Sequence, residues 1–98
     1  MNGSSPTTAW LQSSGGQKTP LGASCFLGRS ASCEMVLSHE KVSRQHALLQ
    51  RQNENEYWLI DLGSANGTYL NGLRVRHPCR LADGDSISSA GFTLDFHC

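Results

Sequence analysis

The sequence predicts an all-β domain, an antiparallel sandwich or barrel. Three observations lead there: strand-like runs recur at short intervals, helical periodicity is nearly absent, and Gly- or Asn-rich turns separate the runs. A length of 98 residues suits one such domain, because a compact chain of this size buries roughly two-thirds of its unfolded surface. A hydrophobic content of 38% is ordinary for a globular chain and argues against disorder throughout.

The elements follow in order. A polar lead over residues 1–7 is expected to be flexible, with a single domain over residues 8–98. "TTAWLQ" reads as a first strand closed by the turn cluster "SSGGQ", and "KTPLG" and "ASCFLGR" continue it, with Phe26 and Leu27 as apolar anchors. "HALLQRQ" is a strand that "NENE" turns into "YWLIDL". There Trp58, Ile60 and Leu62 share one face at period two and are expected inside. Asn66-Gly67 and Asn71-Gly72 enclose "TYL"; Asn-Gly suits turns with φ > 0 and is a strong hairpin signal. Asp83-Gly84 marks another turn, and "GFTLDF" alternates with Phe92, Leu94 and Phe96 inward. Trp10 and Trp58 are read as core residues.

Charge narrows the function classes. Eight Lys and Arg balance eight Asp and Glu, whereas a domain that grips nucleic acid through its phosphates carries a basic excess. Nucleic acid is therefore not an expected partner. No apolar run approaches the roughly 18 residues needed to cross a bilayer, and "MNGSSPTTAW" lacks the basic and apolar regions of a secretory signal. Cys25, Cys33, Cys79 and Cys98 form no C-x-x-C pair, so they are expected as free thiols in a reducing interior, with a disulfide as the minor alternative. The expected location is intracellular, the cytoplasm ahead of the nucleus. "RVRHPCR", the most basic run, reads as a solvated loop or edge strand, with guidance of acidic partners as the alternative.

The polar segments "GRSASCE", "SHEKVSRQ" and "GSANGT" all fall at strand ends and could meet at one edge. In "VSRQHA", Ser43 and His46 could be imagined as nucleophile and base with Asp61 as orienter, but no G-x-S-x-G elbow accompanies them. A metal site from His39, His46 and a cysteine lacks any standard zinc spacing. Taken locally, Ser43 and His46 would simply satisfy backbone groups in a tight loop.

The ordered set changes that local balance. Gly28-Arg29, then "VSRQHA" at 42–47, "DLGSANGTYLNG" at 61–72 and "LADGDSI" at 81–87 together resemble the forkhead-associated (FHA) domain family, from about Trp10 to Phe96. The resemblance implies a two-sheet, mostly antiparallel β-sandwich with binding loops at one end. It also implies a non-enzymatic module that recognises phosphothreonine in a partner protein phosphorylated by a Ser/Thr kinase. Such a group carries about −1.5 to −2 charge and three acceptor oxygens, so its receptor needs converging charged or preorganised donors.

By that resemblance Arg29 and Ser43 contact the phosphate, Arg44 adds a second guanidinium, and Asn66 bonds the peptide backbone. Gly28, His46, Ser64, Gly67 and Asn71 support the loops. No cofactor or metal is implied, and the isolated domain is expected to be monomeric, as one part of a larger signalling protein. One departure stands out: Ala65 lies where many relatives carry a Thr or Ser hydroxyl, so one phosphate donor is missing. The alternative is a phosphate-independent interaction or oligomerisation module that keeps the fold.

Overall fold

The computed structural model describes residues 9–53 and 56–98. The proposed lead at 1–7 and the middle of the "NENE" turn lie outside them. Eleven strands stand among the described residues: β1 (Trp10–Ser13), β2 (Lys18–Pro20), β3 (Ser24–Gly28), β4 (Met35–Val36), β5 (Ala47–Gln52), β6 (Glu56–Asp61), β7 (Tyr69–Leu70), β8 (Leu73–Arg74), β9 (Cys79–Arg80), β10 (Ser86–Ser89) and β11 (Phe92–His97). They form two sheets, ordered β2-β1-β11-β10-β7-β8 and β4-β3-β5-β6-β9. Among the described residues only β3 and β4 pair in parallel, so the all-β, two-sheet and mostly antiparallel expectation holds.

The core fills the space between the sheets. One inner face presents Leu11, Ile87, Leu94 and Phe96, and the other presents Cys25, Leu27, Ala47, Leu49, Tyr57 and Leu59, all buried. Register explains the grouping, since Leu11 faces Phe96, Ile87 faces Leu94, and Leu49 stands between Cys25 and Leu59. The β11 alternation behaves as its pattern predicts: Leu94 and Phe96 are buried, and Phe92 packs on the edge of the core.

The expected inner face of β6 is reversed. Tyr57 and Leu59 point inward, while Trp58 and Ile60 are half-exposed on the outer face and Leu62 follows the strand. Both faces of "YWLIDL" are apolar, so alternation alone allowed either. Pairing decides: Trp58 stands opposite Gln50 and Arg80, a polar row that cannot be buried, whereas Leu59 stands opposite Leu49. Trp10 is likewise outside the main core. It stacks on His97 at 5.3 Å, with the Lys18 ammonium 5.3 Å from its ring centroid. Phe26 is half-buried, beside Leu48 on the outer face.

The two Asn-Gly pairs differ. Asn71 (φ 51°) and Gly72 (φ 85°) form the two-residue turn of the β7–β8 hairpin, the conformation that two positive φ values in succession require. Gly67 (φ 79°) lies in the β6–β7 loop, and Asn66 is not left-handed. Nor do the first three predicted runs form one continuous ribbon. β2 stays with β1, and β3 crosses into the second sheet. The short β4 and the serine-rich β10 carry too little apolar signal to be seen in the sequence.

Candidate functional site

Three strand connections meet at one end of the sandwich. β3 ends at Gly28, whose backbone lies against the Arg44 carbonyl so closely that a Cβ there would collide with it and would sit 3.0 Å from Cys33 Sγ. This contact is why no other residue fits at position 28. Beyond it, Arg29 N–H donates to Ser43 O at 3.0 Å and Ser30 N–H to Arg44 O at 3.1 Å. The segment after β3 is thus zipped onto the 42–46 segment.

Arg29 adds a side-chain tie, its Nε donating to Val42 O at 3.0 Å. That bond ties the guanidinium to the carbonyl that precedes Ser43 and uses only Nε, and the residue as a whole is exposed. The ion pairs among the described residues are Arg80–Glu56 and His97–Asp83, so neither Arg29 nor Arg44 has a carboxylate partner there. Arg44 is exposed, and its carbonyl, not its side chain, does the local bonding.

Ser43 joins this segment to the next. Its Oγ accepts the Ala65 N–H at 3.0 Å, which leaves the hydroxyl proton free to donate elsewhere. Asn66 Nδ2 donates to Lys41 O at 2.8 Å, and its side-chain oxygen has no partner among the described residues. Arg29, Ser43 and Asn66 are therefore linked through one short set of hydrogen bonds across three connections.

His46 lies beneath, fully buried. Its Nδ1 accepts the Ser43 N–H at 3.1 Å, so its Nε2 must carry the proton that it donates to Gly67 O at 2.9 Å. The ring meets Phe92 edge-on at 5.3 Å. Gly67 O also receives the Ser89 hydroxyl at 2.6 Å. Ser43 and His46 are thus bonded through a backbone N–H, with the Ser43 hydroxyl engaged by Ala65 instead, which is not the geometry of a nucleophile and its base. Both imidazole nitrogens are occupied by protein, and among the described residues no group of three or more metal-ligating side chains gathers.

Asp61 organises the β6–β7 loop and orients no catalytic histidine, since His46 bonds Ser43 N–H and Gly67 O. At the end of β6, its Oδ2 accepts the N–H groups of Gly63 and Ser64 at 3.0 and 3.2 Å, and its Oδ1 accepts the hydroxyls of Ser64 and Thr68 at 2.6 Å each. Burial alone would raise its pKa, but these donated bonds outweigh burial and hold the carboxyl below its ordinary value. The signal was present as Asp-x-Gly-Ser, an Asx-turn pattern. Asn71 sits further along, its amide bonding Asp85 Oδ1 and Ser86 N–H at 2.9 Å each. All four cysteines are free thiols. That of Cys25 is pushed up to about 11, first by burial and then by Glu34 and Cys33, and so stays protonated at neutral pH.

An FHA domain family model matches residues 25–89, which contain Gly28, Arg29, Ser43, Arg44, His46, Asp61, Asn66 and Gly67. Human Kanadaptin is 37% identical over 84 residues, covering 74% of this chain and 11% of that protein. The oxoglutarate dehydrogenase inhibitor of Corynebacterium efficiens is 41% identical over 69 residues, covering 70% of this chain and 47% of that protein. The chain thus spans less than half the length of either relative. Among solved structures, Mycobacterium tuberculosis EmbR in complex with a low-affinity phosphopeptide superposes with a TM-score of 0.86 at 33% identity, over 92% of this chain and 24% of that one. An FHA domain solved in work on phosphothreonine-dependent interactions superposes with a TM-score of 0.85 at 30% identity, over 94% and 97% of the two chains. On the matched residues, the shared sandwich and the loop constellation together, the chain belongs to the forkhead-associated (FHA) domain family.

Proposed function

We propose that the domain docks a phosphothreonine-bearing segment of a partner protein and catalyses no reaction. The observation that carries this reading is the exposed Arg29, its guanidinium tied to Val42 O, the carbonyl just before Ser43, whose hydroxyl still has a proton to give. A phosphate dianion needs converging donors of this kind, and a guanidinium contact to it is about twice as strong as a neutral hydrogen bond. Arg44, exposed in the same segment, has no carboxylate partner among the described residues, and Asn66 retains there a side-chain oxygen suited to a peptide N–H. Similarity to EmbR solved with a low-affinity phosphopeptide, and to an FHA domain solved in work on phosphothreonine-dependent interactions, supports the same ligand class.

The supporting residues divide by depth. Gly28 permits the close packing of the β3 end; His46 and Ser64 hold the loops from below; Gly67 supplies the left-handed turn, and Asn71 braces the hairpin behind it. The module works within a longer signalling protein inside the cell, in a reducing compartment where its four thiols stay free. Among the described residues no helix is long and apolar enough to cross a membrane.

Ala65 favours a second reading, a phosphate-independent interaction module, because its side chain offers the phosphate nothing. Matched peptides bearing phosphothreonine, phosphoserine, threonine or aspartate, chosen from a degenerate library, separate the two. Binding that requires phosphothreonine supports the proposal, and equal binding of all four removes it.

A further inference from the structure

The β7–β8 hairpin brings an arginine onto the rim that the phosphothreonine contacts do not use. Arg74 closes β8 opposite Tyr69, and Val75 N–H donates to Thr68 O at 2.8 Å, fixing the hairpin against the loop that precedes it. The guanidinium of Arg74 lies across Gly67: a Cβ built on that glycine would be 2.9 Å from its Nε, 3.0 Å from Cζ and 3.3 Å from Nη2. Gly67 thus answers two demands, a left-handed backbone (φ 79°) and a flat seat for a cation. Arg74 is exposed, and neither ion pair among the described residues involves it. The guanidinium thus lies over the residue that follows Asn66 in the chain.

From these placements we infer that Arg74 forms a second anion subsite, which takes an acidic group carried by the same peptide near the phosphothreonine. The inference rests on the function proposed above. Ser43 Oγ is bonded to Ala65 N–H, and Gly67 is two residues further, which is at most about 7 Å of chain. An extended peptide advances about 3.3 Å per residue, so the acidic group sits within about three residues of the phosphothreonine, on the side that crosses the hairpin. The chemistry required is an anion that accepts from a planar fork, either a carboxylate or a second phosphate. Arg76 is also exposed, but it lies with Asp61, Val75 and His77 around a separate cavity, so it serves as the control.

The test uses a degenerate phosphothreonine peptide library in which Asp, phosphoserine or Ala is fixed in turn at each of the four positions on either side. The best acidic peptide and its Ala counterpart are then titrated against the wild type, Arg74→Gln and Arg76→Gln. The expected result is about a three- to tenfold preference for the acidic peptide at low salt, shrinking as salt is added. That preference falls to near one in Arg74→Gln and persists in Arg76→Gln. The Asp and phosphoserine arms distinguish carboxylate from phosphate as the source of the anion. A wild type indifferent to flanking charge, or a preference unchanged by Arg74→Gln, overturns the subsite while phosphothreonine dependence still stands. Binding that ignores the phosphothreonine itself removes the underlying function and the subsite with it, and is visible separately in the unphosphorylated arm.

Discussion

Arg29 and Ala65 mark the two ends of what a single side chain contributes at this rim. Arg29 is exposed and spends one nitrogen on Val42 O, so its loss should change ligand affinity far more than folding. Arg29→Ala is expected to weaken phosphothreonine-peptide binding about 10- to 150-fold, the equivalent of one charge-assisted hydrogen bond. Its thermal midpoint should stay close to wild type, and calorimetric titration beside a thermal melt checks both halves. Ala65 is the converse case: its N–H already binds Ser43 Oγ, so the backbone is in place and only a hydroxyl is lacking. Ala65→Ser should tighten the same peptide about two- to tenfold. An unchanged affinity would mean that the position does not face the phosphate. These residue identities were legible in the sequence through their order along the chain. Their partners were not, because Val42 O, Lys41 O and Gly67 O are backbone groups and leave no signature in residue type.

At the level of elements, the β6–β7 loop owes its shape to one carboxylate. Asp61 accepts four hydrogen bonds from Gly63, Ser64 and Thr68, and these hold its folded pKa below the ordinary value despite burial. A depressed folded pKa contributes stability that is fully present above the unfolded carboxylate range and is lost as pH falls through that range to the folded value. Between about pH 7 and about pH 3, wild type should therefore lose more stability than Asp61→Asn, which begins lower and has no such proton to take up. Denaturant melts of the two proteins across that range provide the comparison; parallel pH profiles would deny the carboxylate this role. The β7–β8 hairpin was the best predicted element, since Asn71-Gly72 names its own turn. β4 and β10 were invisible because their pairing with β3 and with β7 and β11 is what makes them strands.

Across the whole molecule, the question is which face of each strand meets the other sheet. Leu59 is fully buried between the sheets, and Ile60, next to it, is half-buried on the outside. Leu59→Ala should cost about 2–5 kcal/mol through lost burial and the cavity left behind. Ile60→Ala should cost clearly less, about 1–2 kcal/mol, because only part of its side chain leaves water on folding. Equal losses in denaturant melts would contradict an inward-facing Leu59 and an outward-facing Ile60. The same sandwich sets the site, since His46 reaches from the 42–46 segment to Gly67 O and is backed by Phe92 of the opposite sheet.

From the sequence by itself came the class of fold, the tight hairpin, the alternation of β11 and the family's ordered motif, because each is written in residue type and spacing over a few neighbouring positions. The inward face of β6, the outer position of Trp10 and Trp58, the organising role of Asp61 and the seat of Arg74 on Gly67 were decided only by tertiary structure. Each depends on what stands opposite in space, and residues far apart along the chain become partners only once two sheets have closed on one another.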